Sequence, residues 1–235
     1  DVPIATMNPE RHTMISAFDR LVIEVPELEP ARSSYDSLLG GLGPDGSLTL
    51  GNLQVVLRAN AGVTAPRIAS LALLDPALGR GETSALTPTG PGYELQRSHH
   101  RENVYAETPT ATGIYAVDHV VLQTRDSDAC IRRFRDELGL RLALDRTVPE
   151  FGGRMLFFRL GKMTLEVIQH LERIPPEDFL WGIPYLCRDI EATVAELDRR
   201  GVAHSPVRPG RKPGTRVATV KSHCLDLPTL LISPD

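Results

Sequence analysis

Tyr115–Thr124 reads YAVDHVVLQT and Gly153–His170 reads GRMLFFRLGKMTLEVIQH, and the fold turns on how these two stretches are read. Side chains alternate along a strand, so His119 shares a face with Val121 and Gln123, and Val120 and Leu122 take the other. In the second stretch Gly161-Lys162 marks a tight turn between two strand patterns. Glu166 interrupts the apolar run Leu165, Val167, Ile168, and a carboxylate inside a strand is destabilising unless paired or solvated. Two accounts of Glu166 follow: an ion pair with Arg154 or Arg159 on the neighbouring hairpin strand, or a general base or ligand facing a cavity. His119 is likewise either a hydrogen-bonded structural residue or a functional one. Side by side, the two would shift each other's pKa and form a proton-transfer pair without any metal.

The segments around this core repeat its order. DSDACIRRFRDELGL (Asp126–Leu140) has Ala129, Ile131, Phe134 and Leu138 at helical spacing with Gly139 as a stop, and RLALDR alternates as a strand. That gives β-α-β-β-β. Downstream, LWGIPYLCRD reads as a strand and DIEATVAELDRRG as a helix with Asp189 at its N-cap and an Ile190, Val194, Leu197 stripe. VAHSPVRPGRKPG is a loop or short edge strand, and RVATVKSH and PTLLISP are strands, so the unit recurs. Upstream, FDRLVIEV (Phe18–Val25) matches VDHVVLQT with a shared Asp, and NLQVVL matches TLEVIQ, setting Gln54 opposite Glu166. A helix pattern (Leu28 to Leu39, stopped by Gly40-Gly41), SLTL and RIASLALLD complete a worn copy shortened after Asp75. RIASLALLD itself fits a strand or a short buried helix. From Pro76 to about Gly113 periodicity weakens, with YELQ and NVYA as candidate strands. The expected division is an arm at 1–13, a degenerate domain at 14–100, a linker at 101–113 and a complete domain at 114–235.

Composition narrows the function. The 235 residues are 41% hydrophobic with net charge −4, enough for a core and without an electrostatic case for nucleic acid or an anionic membrane. No apolar run nears the ~20 residues that span a bilayer, and DVPIATMNPERHTM lacks a secretory pattern. Cys130, Cys187 and Cys224 are odd in number and without a CxxC pair, as suits a reduced interior, and the simplest address is cytoplasmic. Nucleotide-binding, serine-hydrolase and HExxH motifs are absent. His99 and His100 are adjacent, so their side chains point apart, and they read as part of a disordered linker.

Paired βαβββ units with His on the first strand and Glu on the fourth resemble the vicinal oxygen chelate superfamily of glyoxalases, bleomycin- and fosfomycin-resistance proteins and extradiol dioxygenases. The likeness is carried by DHVVLQTRDSDACIRRFRDELGL, TLEVIQH, WGIPYLCRDIEATVAELDRRGV and PTLLI, over Tyr115–Ser233, and is faint over Phe18–Asp75. It implies an α+β fold of paired βαβββ modules curled into cup-shaped half-barrel sheets, as two glyoxalase-like domains with the N-terminal one shortened. It also implies metal ligands on first and fourth strands: His119 and Glu166 here, but Gly182 and Leu230 in the fourth unit, which have no ligating side chain, and Arg20 and Gln54 in the first. The implied cofactor is a divalent metal (Zn, Fe, Mn or Ni), one ligand short unless His223, Cys224, Asp226 or a second subunit contributes.

The expected function is a glyoxalase-like enzyme, of lyase, isomerase or dioxygenase type, acting on a small oxygenated or carboxylated metabolite. His119 and Glu166 would bind a weak metal or move a proton. Arg216, Arg211 and Arg159 are candidate anion-binding residues, the bland account of the RPGRKPGTR run being a solvated loop. Trp181, the single tryptophan, is a core or lid anchor or a substrate contact. The alternative is a metal-free protein that binds or sequesters a small ligand, and a plainer one makes the first half a scaffold for a homodimer.

Overall fold

The computed structural model describes residues 15–86, 92–100, 108–149 and 152–235, and NVYA lies outside them. The fold is α+β, built of paired βαβββ modules on a large curved sheet, with the N-terminal modules shortened. The third unit is β8 (His119–Gln123), a helix, β9 (Arg141–Val148), β10 (Gly153–Leu160) and β11 (Met163–His170). Its strands lie in the order β8-β11-β10-β9, with the first and last parallel. The fourth unit is β12 (Phe179–Cys187), α3 (Ile190–Arg199), β13 (Arg208–Pro209), β14 (Thr215–Val220) and β15 (Thr229–Pro234). It repeats the arrangement, with β15 parallel to β12 and β14 antiparallel to β15.

In the first unit β1 (Ala17–Val25) and α1 (Leu28–Leu39) lead to β2 (Ser47–Thr49) and β3 (Gln54–Ala59), with β3 parallel to β1. RIASLALLD resolves as strand β4 (Arg67–Leu74), and it pairs in parallel with β6 (Glu94–Ser98), itself paired with β5 (Thr83–Ala85). Among the described residues each N-terminal unit is therefore one strand short, and the second connects β4 to β5 without a helix. YELQ contributes to β6, and the histidines after it are ordered: His99 Nδ1 meets the Leu78 carbonyl and His100 Nε2 meets Thr83 Oγ1, each at 2.9 Å. The ladder holding β6 makes this a strand end and not a disordered linker.

Local chemistry explains the elements. Asp189 accepts hydrogen bonds from the Glu191 and Ala192 amides, and Ile190, Val194 and Leu197 are buried, as the stripe predicts. Gly40 ends α1 at φ 69°, where its backbone comes so near Thr112 that an added Cβ would sit 3.0 Å from that residue's amide nitrogen. Two expected elements differ in detail. The strand over 114–124 is interrupted at Asp118, giving β7 (Ile114–Val117) and β8, both antiparallel to β12. The helix after β8 begins as α2 (Ser127–Cys130) and widens into a π-helical run at Ile131–Glu137, whose Phe134 packs on Phe158 at 5.3 Å between ring centroids.

One core runs through both halves of the chain, from Phe18 to Leu231. Several contacts hold the halves together, among them the following. Leu180 of β12 pairs with Ile68 of β4. The buried Tyr35 and Tyr185 hydroxyls meet at 2.5 Å, linking α1 to β12. Asn52 acts as a surrogate strand residue: its Nδ2 donates to the Val117 carbonyl (2.6 Å) and its Oδ1 accepts from the Val117 amide (2.9 Å). Truncating Asn52 leaves two buried backbone groups unpaired. Asn52→Ala is expected to lower unfolding free energy by about 2–4 kcal/mol, measured by urea denaturation, and an effect under ~0.5 kcal/mol would show that this joint is dispensable.

Candidate functional site

The parallel ladder of β8 and β11 sets Thr164 opposite His119 and Glu166 opposite Val121. All four side chains share the inner face of the sheet, with Phe157 and Arg159 of β10 beside Glu166 and Thr164. The outer face carries Val120, Leu122, Leu156, Phe158, Leu165 and Val167, all fully buried. Since the apolar set occupies the outer face, the inner face is left partly open, with the His119 and Glu166 side chains at 18% and 14% exposure.

These two are brought into contact: His119 Nε2 lies 3.1 Å from Glu166 Oε2. His119 Nδ1 lies 2.7 Å from Asp118 Oδ2, so the imidazole is held between two carboxylates. Burial works to lower its pKa, but the hydrogen bonds and charges of Asp118 and Glu166 outweigh it and raise the value from 6.5 to about 9. Asp118 is held below its usual range: burial opposes this, but the His119 bond and charge, and then the charges of Lys212 and Arg159, prevail. The ion pair of Glu166 with Arg154 does not form. Arg154 lies on the outer face, where Asp145 grips it at 2.7 Å through two nitrogens and Asp128 adds a contact at 2.8 Å.

The fourth unit supplies no matching donors. A Cβ on Gly182 would sit 2.9 Å from the Pro228 carbonyl oxygen, which accepts the Ile183 amide, so close backbone approach keeps that position bare. Leu230 pairs with Pro184 and Thr219 and brings only methyl groups. His223, Leu225 and Asp226 adopt left-handed backbone (φ 60°, 56° and 55°) and line an open groove of about 370 Å³ with Pro26, Pro30 and Ser34. Among the described residues no three His, Cys, Asp or Glu side chains come together to hold an ion. Catalytic zinc typically takes three protein ligands plus water, so this donor set does not fit the divalent metal that the resemblance implies.

The other candidates are scattered. Arg159 is on the His119 face. Arg216 lies 2.6 Å from Glu191 of α3, on the opposite side of β14 from Val217 and Thr219. Arg211 is exposed in the turn between β13 and β14, and Trp181 is 43% exposed where the β12–β8 register shifts. Reasoning from sequence missed Asp118 as a site residue, although the Asp shared by FDRLVIEV and VDHVVLQT was the available signal, and it named Lys212 only as one cation of the RPGRKPGTR run.

The repeat is visible in the chemistry as well. In the first unit Arg20 Nε donates to Gln54 Oε1 at 3.1 Å, the counterpart of the His119–Glu166 contact. The register differs by two residues, since Gln54 sits directly opposite Arg20.

Residues 118–219 match the family profile of the Glyoxalase/Bleomycin resistance protein/Dioxygenase superfamily. This segment belongs to that superfamily. Over the whole chain, the structure is similar to that of a triple mutant of 4-hydroxymandelate synthase from Streptomyces coelicolor. The two are 17% identical, 94% of this chain and 93% of that chain are covered, and the TM-score is 0.66. At that identity the likeness is one of fold. Methylmalonyl-CoA epimerase from Mycobacterium tuberculosis aligns with 55% of this chain and 93% of its own, at 17% identity and a TM-score of 0.46. No curated protein matches in sequence. No helix among the described residues is long and apolar enough to cross a membrane.

In this superfamily domain the clamped imidazole has a direct signature. His119 should titrate near 9 by NMR, and Asp118→Asn with Glu166→Gln should take it below 6.5, because burial then acts unopposed. Because the folded value is raised, the stabilisation is complete below the unfolded value and fades as pH rises from about 6.5 through about 9. The stability gap between wild type and His119→Gln should therefore narrow across that window, and a gap that widens there would overturn the assignment.

Proposed function

We propose that the protein is a small-molecule enzyme of this superfamily that moves a proton on an oxygenated or carboxylated metabolite within its C-terminal cup. The observation that carries this is the Asp118–His119–Glu166 array on the partly open inner face. Asp118 is a positioning residue: it accepts from Nδ1 and so fixes the ring with Nε2 toward the cup. The resulting imidazolium is a hydrogen-bond donor and a positive charge, suited to an oxygen on which negative charge develops. When a substrate oxygen takes that donor, Glu166 is released from it and serves as the base for a proton next to the substrate carbonyl. Arg159 and Lys212, whose charges reach Asp118, would hold a substrate carboxylate, a role their charge supports. No step here is routed through a metal, because Gly182 and Leu230 withhold the donors one would need.

The test is solvent-deuterium incorporation next to the carbonyl of 2-oxo and 3-oxo carboxylates and their thioesters, followed by proton NMR. Exchange should survive chelation, and Glu166→Gln should slow it by about 10²–10⁴-fold, the usual contribution of a general base. Saturable binding without exchange, unchanged in Glu166→Gln and His119→Gln, would replace this reading by the sequestering one.

A further inference from the structure

The N-terminal cup carries its own polar pair, a cation against a neutral amide where His119 and Glu166 form an ion pair. Arg20, Val22, Gln54, Val56, Ser70 and Ala72 share one face by register, since Arg20 lies opposite both Gln54 and Ala72 and Val22 lies opposite both Val56 and Ser70. The other face of these strands, with Leu21, Val55 and Leu71, is buried in the core. Guanidinium has donors and no acceptor, so its bond to Gln54 must be taken by the amide oxygen. That leaves the Gln54 Nε2 group and the Nη groups of Arg20 as further donors on this face. Among the described residues no carboxylate lies within ion-pair distance of Arg20. The carboxylate of its neighbour Asp19 is engaged by the Ser98 hydroxyl and the His100 amide.

A second observation points to a ligand on the same face. Ser70 is fully buried on β4, two residues from the position opposite Arg20, and its hydroxyl has no hydrogen-bond partner. A buried hydroxyl without a partner is destabilising, and by register this one shares the face of Arg20, diagonal to it across the β1–β4 pairing, with Gln54 on the far side of β1. Arg20 is itself half-buried, which strengthens any charge-assisted bond that it makes.

We infer that the N-terminal cup holds a second ligand site, in which Arg20, Gln54 and Ser70 bind the carboxylate of a small organic acid. Planar guanidinium and amide donors on one face match the two oxygens of a carboxylate, and the Ser70 hydroxyl adds a third donor. The site rests on its own residues and stands whether or not the C-terminal cup moves protons.

The experiment is a two-dimensional amide NMR titration of the full chain with sodium benzoate, with benzamide as the uncharged control. Benzoate should shift amides around residues 20, 54 and 70 saturably, and benzamide should not. Arg20→Gln and Gln54→Glu should each weaken benzoate by about tenfold or more, as expected when a charge-assisted donor is lost or opposed. Ser70→Ala, which changes little volume, should weaken it about threefold or more if the hydroxyl contributes one neutral hydrogen bond. Glu166→Gln should leave these shifts intact, separating this site from the C-terminal one. Should Arg20→Gln fail to fold, Ser70→Ala and Gln54→Glu carry the test. Shifts confined to the C-terminal cup, no saturable shift, or equal affinity in Gln54→Glu would overturn the inference.

Discussion

The parallel ladder between β8 and β11 fixes which side chains of the C-terminal half meet, and the rest of that half is arranged to keep it in register. A slip of one residue would turn His119 and Glu166 toward Phe134 and bring Val120 and Leu165 to the open face. The fully buried outer face, packed under the helix, makes that slip prohibitive, because it would put an imidazole and a carboxylate into an apolar layer. The polar pair is thus positioned by hydrophobic residues that never touch it. The interruption at Asp118 belongs to the same arrangement: its amide donates to the Pro184 carbonyl while its carboxylate reaches His119.

The two halves share a core, and the joints are specific. Asn52 completes the edge of β7 with a side-chain amide in place of a backbone one, and the Tyr35 and Tyr185 hydroxyls satisfy each other where neither could reach water. Burial raises the pKa of both tyrosines, so the pair stays neutral. Among the described residues the N-terminal half shows fewer strands and one helix fewer than the C-terminal half, but it still supplies α1, β1 and β4 to the common interior. Its retention follows from that packing independently of any chemistry in its own cup.

Three units show what one strand position can become. In the third it carries an imidazole against a carboxylate, in the first a guanidinium against an amide, and in the fourth a glycine pressed on the Pro228 carbonyl. Each solution is locally self-consistent. His119 gains a proton because two carboxylates outweigh its burial, Arg20 satisfies Gln54 with one nitrogen, and Gly182 admits a backbone where no Cβ fits. A metal chelate needs donors from facing units at once, and the close backbone contact at Gly182 removes one side of it.

Local pattern was enough for the elements and the repeat. Alternation in VDHVVLQT and TLEVIQH, the capped stripe at Asp189–Leu197 and the Gly40 stop each encode geometry within a few residues of themselves. The placement of His119 and Glu166 on equivalent strands was also legible, because the units can be laid over one another. What the sequence alone determined is therefore the α+β repeat and the strand positions of its polar residues. Tertiary structure decided that Asp118 and Glu166 clamp one imidazole, that Arg154 turns outward to Asp145 and Asp128, and that Arg216 goes to Glu191. It also decided that the Lys212 charge reaches Asp118. Apart from the hairpin contact of Arg154 with Asp145, 9 positions apart, these are contacts between residues more than about 20 positions apart, or between neighbours whose strand is broken, and their partners are set by register and sheet curvature, which no local window contains.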